Sequence, residues 1–227
     1  MSFLRSFLFI LLWFTWTLLW GVVSSPMLIL EDGKPIILKA AKMWARVTIW
    51  LLKYVCRITS EVVGMNNIPK IPSIIASKHQ SAWETIFFLV LFDNPVFVIK
   101  KELTKIPIYG WYLRKLGMIC IDRKGGINAL KQIKLGVESA ISQGRPVIIF
   151  PEGTRVSHHE RIKLKSGIKF LYESFPQVPI IPVSLNSGLH WINKSIEKKP
   201  GIIQVTIHPK FVAKEYFLEE LGNLLQL

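Results

Sequence analysis

The chain has 227 residues, half of them hydrophobic, and 29 Lys and Arg against 15 Asp and Glu, a formal charge of +14. That composition excludes a disordered basic tail, and the length suits one α/β domain with a small extra element and a core that needs no staples. The charge favours anionic partners: phosphorylated substrates, acidic lipid headgroups or nucleic acid.

Residues 6–30 contain no charge, and a helix needs about 20 residues to cross a hydrocarbon core. Phe7, Phe9, Phe14, Trp13, Trp16 and Trp20 crowd its front half, with Phe3 just ahead of it, as aromatic rings do at a headgroup boundary. Arg5 precedes the run and Glu31-Asp32-Gly33-Lys34-Pro35 ends it with turn chemistry. Three readings compete: a cleaved signal peptide with a weak Val23-Ser24-Ser25-Pro26 site, a single crossing, and one arm of a hairpin dipping into one leaflet. The second helix candidate, 36–58, carries Lys39, Lys42, Arg46, Lys53 and Arg57 within an arc of roughly 60° at 100° per residue. Five cations make it a poor span, and a basic stripe on an apolar helix suits the bilayer surface. Residues 1–58 are therefore expected to be a membrane-docking helix pair, and 59–227 the soluble domain. Cys56 and Cys120 have no metal spacing and read as buried or lipid-adjacent thiols in a reducing compartment.

From Thr59 onward, short apolar runs alternate with polar helical stretches. The pattern predicts a mixed, largely parallel sheet flanked by helices. Strands are expected at 61–65, 73–77, 96–99, 118–121, 147–150, 180–185 and 202–208, and helices at 82–91, 109–116, 127–143, 165–173 and 215–225. Two polar islands follow strands: His79-Gln80-Ser81-Ala82-Trp83-Glu84 and Phe150-Pro151-Glu152-Gly153-Thr154-Arg155. Strand ends are where open α/β sheets gather their chemistry.

In the first island, Ser81-x-x-Glu84 before an apolar run is a capping box, which could be all that Glu84 does. Alternatively, His79 lies in the loop before the helix, and its imidazole folds back over the Glu84 carboxylate. The carboxylate then fixes the tautomer and leaves the other ring nitrogen as a base. A plainly solvated loop histidine is the competing reading.

The His79-x4-Glu84 pair, followed much later by Phe150-Pro151-Glu152-Gly153-Thr154-Arg155, resembles the glycerolipid acyltransferase family, in particular the 1-acyl-sn-glycerol-3-phosphate acyltransferases. The family usually carries Asp where this chain has Glu84, an extra methylene that shifts the carboxylate by about 1.5 Å. The likeness extends through Lys101-Glu102-Leu103, Ile106-Pro107, Gly110, 117–123 ending in Asp122-Arg123, Lys165-Ser166-Gly167 and 178–183. It implies a glycerol-3-phosphate acyltransferase-like fold with His79 and Glu84 as the catalytic pair. Arg155, Arg123, Lys101 and Lys165 would grip the substrate phosphate, where Arg offers a planar fork and Lys a point charge. Gly153 would permit a tight turn, and Glu152 and Thr154 would orient Arg155 or the glycerol hydroxyls. Surface ion pairs remain the plain alternative for the arginines, including an Asp122–Arg123 pair. A buried strand is the plain reading of 178–183.

The resemblance further implies acyl transfer from acyl-CoA or acyl carrier protein to the sn-2 hydroxyl of lysophosphatidic acid, yielding phosphatidic acid at a membrane. The expected setting is the bacterial inner membrane with the site on the cytoplasmic side. No metal and no resident cofactor are expected. Alternatives are an acceptor such as glycerol 3-phosphate or another lysolipid and, in a different class, a membrane-tethered basic nucleic-acid binder. The nucleic-acid reading finds no recognised motif, so no such partner is expected. A lipase-like hydrolase would want Gly-x-Ser-x-Gly, which the sequence lacks.

Overall fold

The computed structural model describes residues 2–30, 33–160 and 163–226. Glu31 and Asp32 of the expected turn lie outside the described residues.

Seven strands form one sheet: β1 (Ile58–Val63), β2 (Ile74–Ser77), β3 (Val96–Lys100), β4 (Ile119–Ile121), β5 (Val147–Ile149), β6 (Ile180–Leu185) and β7 (Gly201–Ile207). Their spatial order is β1-β7-β6-β2-β5-β3-β4, parallel throughout except for the antiparallel β6–β7 pair. The mixed, largely parallel sheet expected from the sequence is therefore what forms. β1 begins three residues earlier than its apolar pattern indicated, because pairing with β7 from Ile58↔Gly201 recruits Thr59 and Ser60. Gly64, at φ +82°, turns the chain out of β1 so close to β7 that a Cβ would stand 2.1 Å from the Ile207 carbonyl oxygen.

The helices are α1 (Ser2–Ser24), α2 (Lys34–Leu51), α3 (Trp83–Leu91), α4 (Tyr109–Lys115), α5 (Ile127–Ser142), α6 (Gly167–Ser174), α7 (Ser187–His190) and α8 (Phe217–Leu224). The continuous apolar strands are buried on both faces, as parallel strands covered by helices must be. On one face Ile75, Ile148 and Ile181 pack with Trp83, Ile86 and Phe88 of α3, Ala45 of α2 and Phe9 of α1. On the other, Ile74, Ala76, Val147 and Ile149 pack with Ile133 and Val137 of α5, Leu171 of α6 and Leu221 of α8. Burying a Leu- or Ile-sized side chain stabilises by about 1.5–3 kcal/mol.

The N-terminal helices thus share a core with the sheet. α1 is held along its length: Ser6 Oγ accepts from Lys198 N at 2.8 Å, Phe9 and Trp13 meet Trp191 edge-on at 5.6 and 5.8 Å, and Trp20 Nε1 donates to Ala40 O at 3.0 Å. Its outer face leaves Phe3, Phe7, Leu11, Phe14, Leu18 and Val22 exposed. It is also long and apolar enough to cross a membrane.

α2 buries Ile37, Ala40, Ala45, Thr48 and Leu51 against the protein and leaves Ile36, Met43 and Trp50 exposed, and Lys42 pairs with Asp93 at 3.3 Å. Lys39, Arg46, Lys53 and Arg57 remain exposed. The α-helix closes at Leu51 with a π turn over Leu52–Cys56. Arg57 then takes a left-handed conformation and Ile58 already belongs to β1. Cys56 is buried and Cys120 half-buried, both free thiols.

Candidate active site

β2, β3, β4, β5 and β6 all run the same way, so their carboxyl ends share one edge of the sheet. Both polar islands emerge there, the first after β2 and the second after its neighbour β5. Adjacency of these strands closes the sequence separation between His79 and the Glu152-Gly153-Thr154-Arg155 loop. Val156 N donates to His79 O at 2.8 Å and His79 N to Glu152 Oε1 at 3.3 Å. The His79 ring stacks on Phe150 with centroids 4.0 Å apart.

His79 Nδ1 lies 2.8 Å from Glu84 Oε1. That oxygen also accepts from Gln80 N and Ser81 N, each at 2.7 Å. Oε2 accepts from Ser81 Oγ and Ser187 Oγ, again at 2.7 Å each. With both hydroxyl protons spent on the carboxylate, Ser81 Oγ is free to accept from Trp83 N at 3.0 Å. Five donors converge on a side chain that is fully buried. Burial alone would push the Glu84 carboxyl up. The His79 hydrogen bond and charge and the Ser81 bonds outweigh it and hold the group below the ordinary carboxylate range. An ionised Glu84 can only accept, so Nδ1 carries the imidazole proton. Nε2, with no hydrogen bond to a described residue, is left as the basic lone pair. Glu84 also accepts the Ser81 N–H, half of a capping box, so capping and orientation coexist in one carboxylate. The added methylene relative to Asp does not prevent a short contact with the imidazole.

Gly153 takes φ +71°, and a Cβ there would sit 3.5 Å from the Lys165 side chain. The Arg123 guanidinium, reached from the end of β4, donates to Gly153 O. Lys165 N donates to Pro151 O at 2.8 Å. Arg123, Gly153 and Lys165 therefore join the loop beside His79. Thr154 and Arg155 are exposed on it, and the charge of Arg155 reaches Tyr109 at the start of α4. Lys101 is exposed on a 3-10 turn after β3, on the same edge but two strands from β2. Asp122 does not pair with Arg123: its carboxylate accepts from Lys124 N at 3.0 Å, and the acid that Arg123 feels is Glu102. Residues 178–183 include most of β6 and are buried, the plain strand reading.

Glu152 turns inward to the His79 backbone rather than outward to Arg155. It is 3% exposed, and its Oε2 has no hydrogen-bond partner. Burial pushes its carboxyl up to about 7, partly offset by hydrogen bonds from its own and the His79 backbone and by the Lys78 charge. Because the folded state holds this proton more tightly than the unfolded chain, stability falls as pH rises from 4.5 to about 7. The penalty is on the order of 3 kcal/mol above that window. Glu152→Gln should therefore gain thermal stability over wild type at pH 8 but not at pH 4.5. Parallel pH dependence of the two proteins' unfolding would show that Glu152 ionises normally.

Ser187 and Gln80 had no assigned role in the sequence reading. Ser187 opens α7 at the carboxyl end of β6, and Gln80 Oε1 accepts from Gly188 N at 2.8 Å, tying that turn to the first island. The strand-end rule that picked out the two islands applies equally to Asn186-Ser187-Gly188. Ser187→Ala removes one of the two donors to Oε2. The expected result is a fall in kcat of about tenfold, the value of one hydrogen bond to a charged group, at unchanged KM. An unchanged kcat would make the hydroxyl structural only.

Among the described residues, no group of three or more His, Cys, Asp or Glu stands together as a metal site. The fold and this edge define an α/β enzyme in which a saturated carboxylate presents an imidazole base beside a cation-bearing glycine turn. Residues 59–186 match the family model described as Acyltransferase. The chain belongs to the acyltransferase family, and it is an O-acyltransferase. It is 36% identical over 214 residues to the 1-acyl-sn-glycerol-3-phosphate acyltransferase of Pseudomonas aeruginosa, covering 93% of this chain and 82% of that one. It is 37% identical over 162 residues to the enzyme of the same name from Helicobacter pylori, covering 67% and 66%. The crystal structure of the 1-acyl-sn-glycerophosphate (LPA) acyltransferase PlsC from Thermotoga maritima superposes with a TM-score of 0.78. That match covers 100% of this chain and 95% of that one at 23% identity, a likeness of fold.

Proposed function

We propose that the chain acylates the sn-2 hydroxyl of lysophosphatidic acid, using an acyl thioester of coenzyme A or acyl carrier protein and forming phosphatidic acid. The observation that carries the chemistry is the 2.8 Å His79–Glu84 contact, with Nε2 unspent, beside the Arg155 loop. The relatives' names support the acceptor. Nε2 takes the hydroxyl proton as the substrate oxygen attacks the thioester carbonyl. The tetrahedral intermediate expels the thiolate, which recovers the proton from the imidazolium, and Glu84 steadies that cation. No acyl-enzyme is needed, because the substrate alcohol is the nucleophile. Gly153 N and Val156 N are spent on Phe150 O and His79 O. The N–H groups of Thr154 and Arg155 are therefore the loop donors assigned to the oxyanion. Arg155, Arg123, Lys165 and Lys101 supply the cationic edge for the acceptor phosphate, and the exposed Thr154 orients the glycerol hydroxyls.

The docking element is α1 with its outer apolar face in lipid. A helix pinned to the body from Ser6 to Ser24 lies along the protein surface, which favours the leaflet-dipping reading over a crossing. The expected setting is the bacterial inner membrane with the site on its cytoplasmic side.

Purified full-length protein offered a panel of lysophospholipids and glycerol 3-phosphate, with both thioester donors, should make phosphatidic acid. Acylation of glycerol 3-phosphate but not lysophosphatidic acid would overturn the acceptor assignment. Arg155→Ala should raise the KM for the acceptor by about 10- to 100-fold, the range for a lost hydrogen bond to a charged group. A change confined to the thioester KM would place Arg155 on the donor side.

A further inference from the structure

A cleft of about 650 Å³ opens where the carboxyl end of α1 meets α4. Pro26, Leu28 and Ile29 form one wall, and Trp111, Arg114 and Lys115 the other. The acyl-transfer chemistry uses none of them. We propose that this cleft binds the headgroup of an anionic glycerophospholipid of the surrounding bilayer, with its acyl chains against the outer face of α1. The inference rests on the lipid-facing reading of α1 and is independent of which acceptor is acylated.

Two features select such an amphiphile. First, the cleft's apolar wall lies in the 3-10 turn Ser25–Ile29 that follows the end of α1, where Ile29 is 83% exposed, six residues beyond exposed Val23. Trp111 is 50% exposed beside it, and indole rings favour the headgroup level of a bilayer. Secondly, the two cations are held in place by backbone oxygens rather than by acids. Arg114 Nη1 donates to Thr104 O, and Lys115 Nζ donates to Leu30 O at 3.0 Å. Neither forms an ion pair with a carboxylate among the described residues. Each keeps further N–H groups for a phosphodiester, and the guanidinium offers a planar fork to it. The walls are fastened together, because Tyr112 OH donates to Ser24 Oγ at 2.5 Å, so little ordering is needed on binding.

The test is a thermal-shift titration of the full chain in neutral detergent with dihexanoyl phosphatidylglycerol, dihexanoyl phosphatidylcholine or inorganic phosphate. Two variants of equal charge change are compared: Arg114→Gln/Lys115→Gln in the cleft, and Lys131→Gln/Lys134→Gln on the exposed face of α5. Phosphatidylglycerol should give a saturable upward shift in wild type and in the α5 variant. The cleft variant should need at least about tenfold more lipid, as expected for losing charged hydrogen bonds. Equal loss in both variants would reduce the effect to net charge. An equal response to phosphatidylcholine would remove the role of headgroup charge. An equal response to inorganic phosphate would remove the lipid. Any of these three results overturns the proposal.

Discussion

His79→Ala lowers kcat by about 10³- to 10⁴-fold, toward the upper range for loss of a positioned general base, and leaves the thermal midpoint close to wild type. Both halves follow from the geometry. The ring bonds only to Glu84 through Nδ1 and rests on Phe150, while Glu84 keeps four further donors, from Gln80 N, Ser81 N, Ser81 Oγ and Ser187 Oγ. Removing the imidazole therefore leaves the buried Glu84 carboxylate still held by four hydrogen bonds. The Val156 N–H···O bond to residue 79 is backbone and survives. Single-turnover acyl transfer and a melting curve on the same preparation decide the matter. A variant that folds and transfers at near-normal rate would remove the mechanism.

Glu84→Gln has the second-largest effect on rate and separates orientation from charge. A glutamine oxygen placed at Oε1 still accepts from His79, Gln80 and Ser81, so the tautomer is retained. Its amide nitrogen then faces two hydroxyls that can rotate to accept instead. What is lost is the negative charge opposite the imidazolium. We expect kcat to fall by about 10²-fold, less than for His79→Ala, with stability lowered by about 1–2 kcal/mol. Glu84→Ala differs, because it strands three donors near Oε1 in a buried site. It should destabilise by about 3–5 kcal/mol, as other broken buried networks do. Full activity in Glu84→Gln would demote the residue to a helix cap. Because the Glu84 carboxyl is held below its ordinary range, its stabilising contribution is present above the unfolded value and is lost as pH falls through the folded one.

Strand and helix positions were readable wherever a short apolar run met a turn signal, since burial on both faces imposes apolarity on every residue of a central strand. The short run Ile180–Leu185 matched its strand to the residue. β1 did not, because Thr59 and Ser60 enter the sheet through backbone pairing with β7, to which side-chain polarity is blind. For α2, the basic stripe was visible but the occupant of the opposite face was not. An apolar helix face looks the same whether it meets lipid or another helix, and here α3 and α1 cover part of it.

By itself the sequence determined the alternation of strands and helices, the placement of two polar islands at strand ends, and the residue types for acid–base and phosphate chemistry. These are local properties, set by hydrophobic period, turn residues and side-chain functional groups. Only the tertiary structure decided that β2 and β5 are neighbours, so that the Glu152 loop closes over His79. It also decided that Ser187, 103 residues beyond Glu84, completes the carboxylate's hydrogen bonds, and that Glu152 points inward with a raised pKa. Strand order and burial depend on which distant segments share the core, and no local pattern encodes that choice.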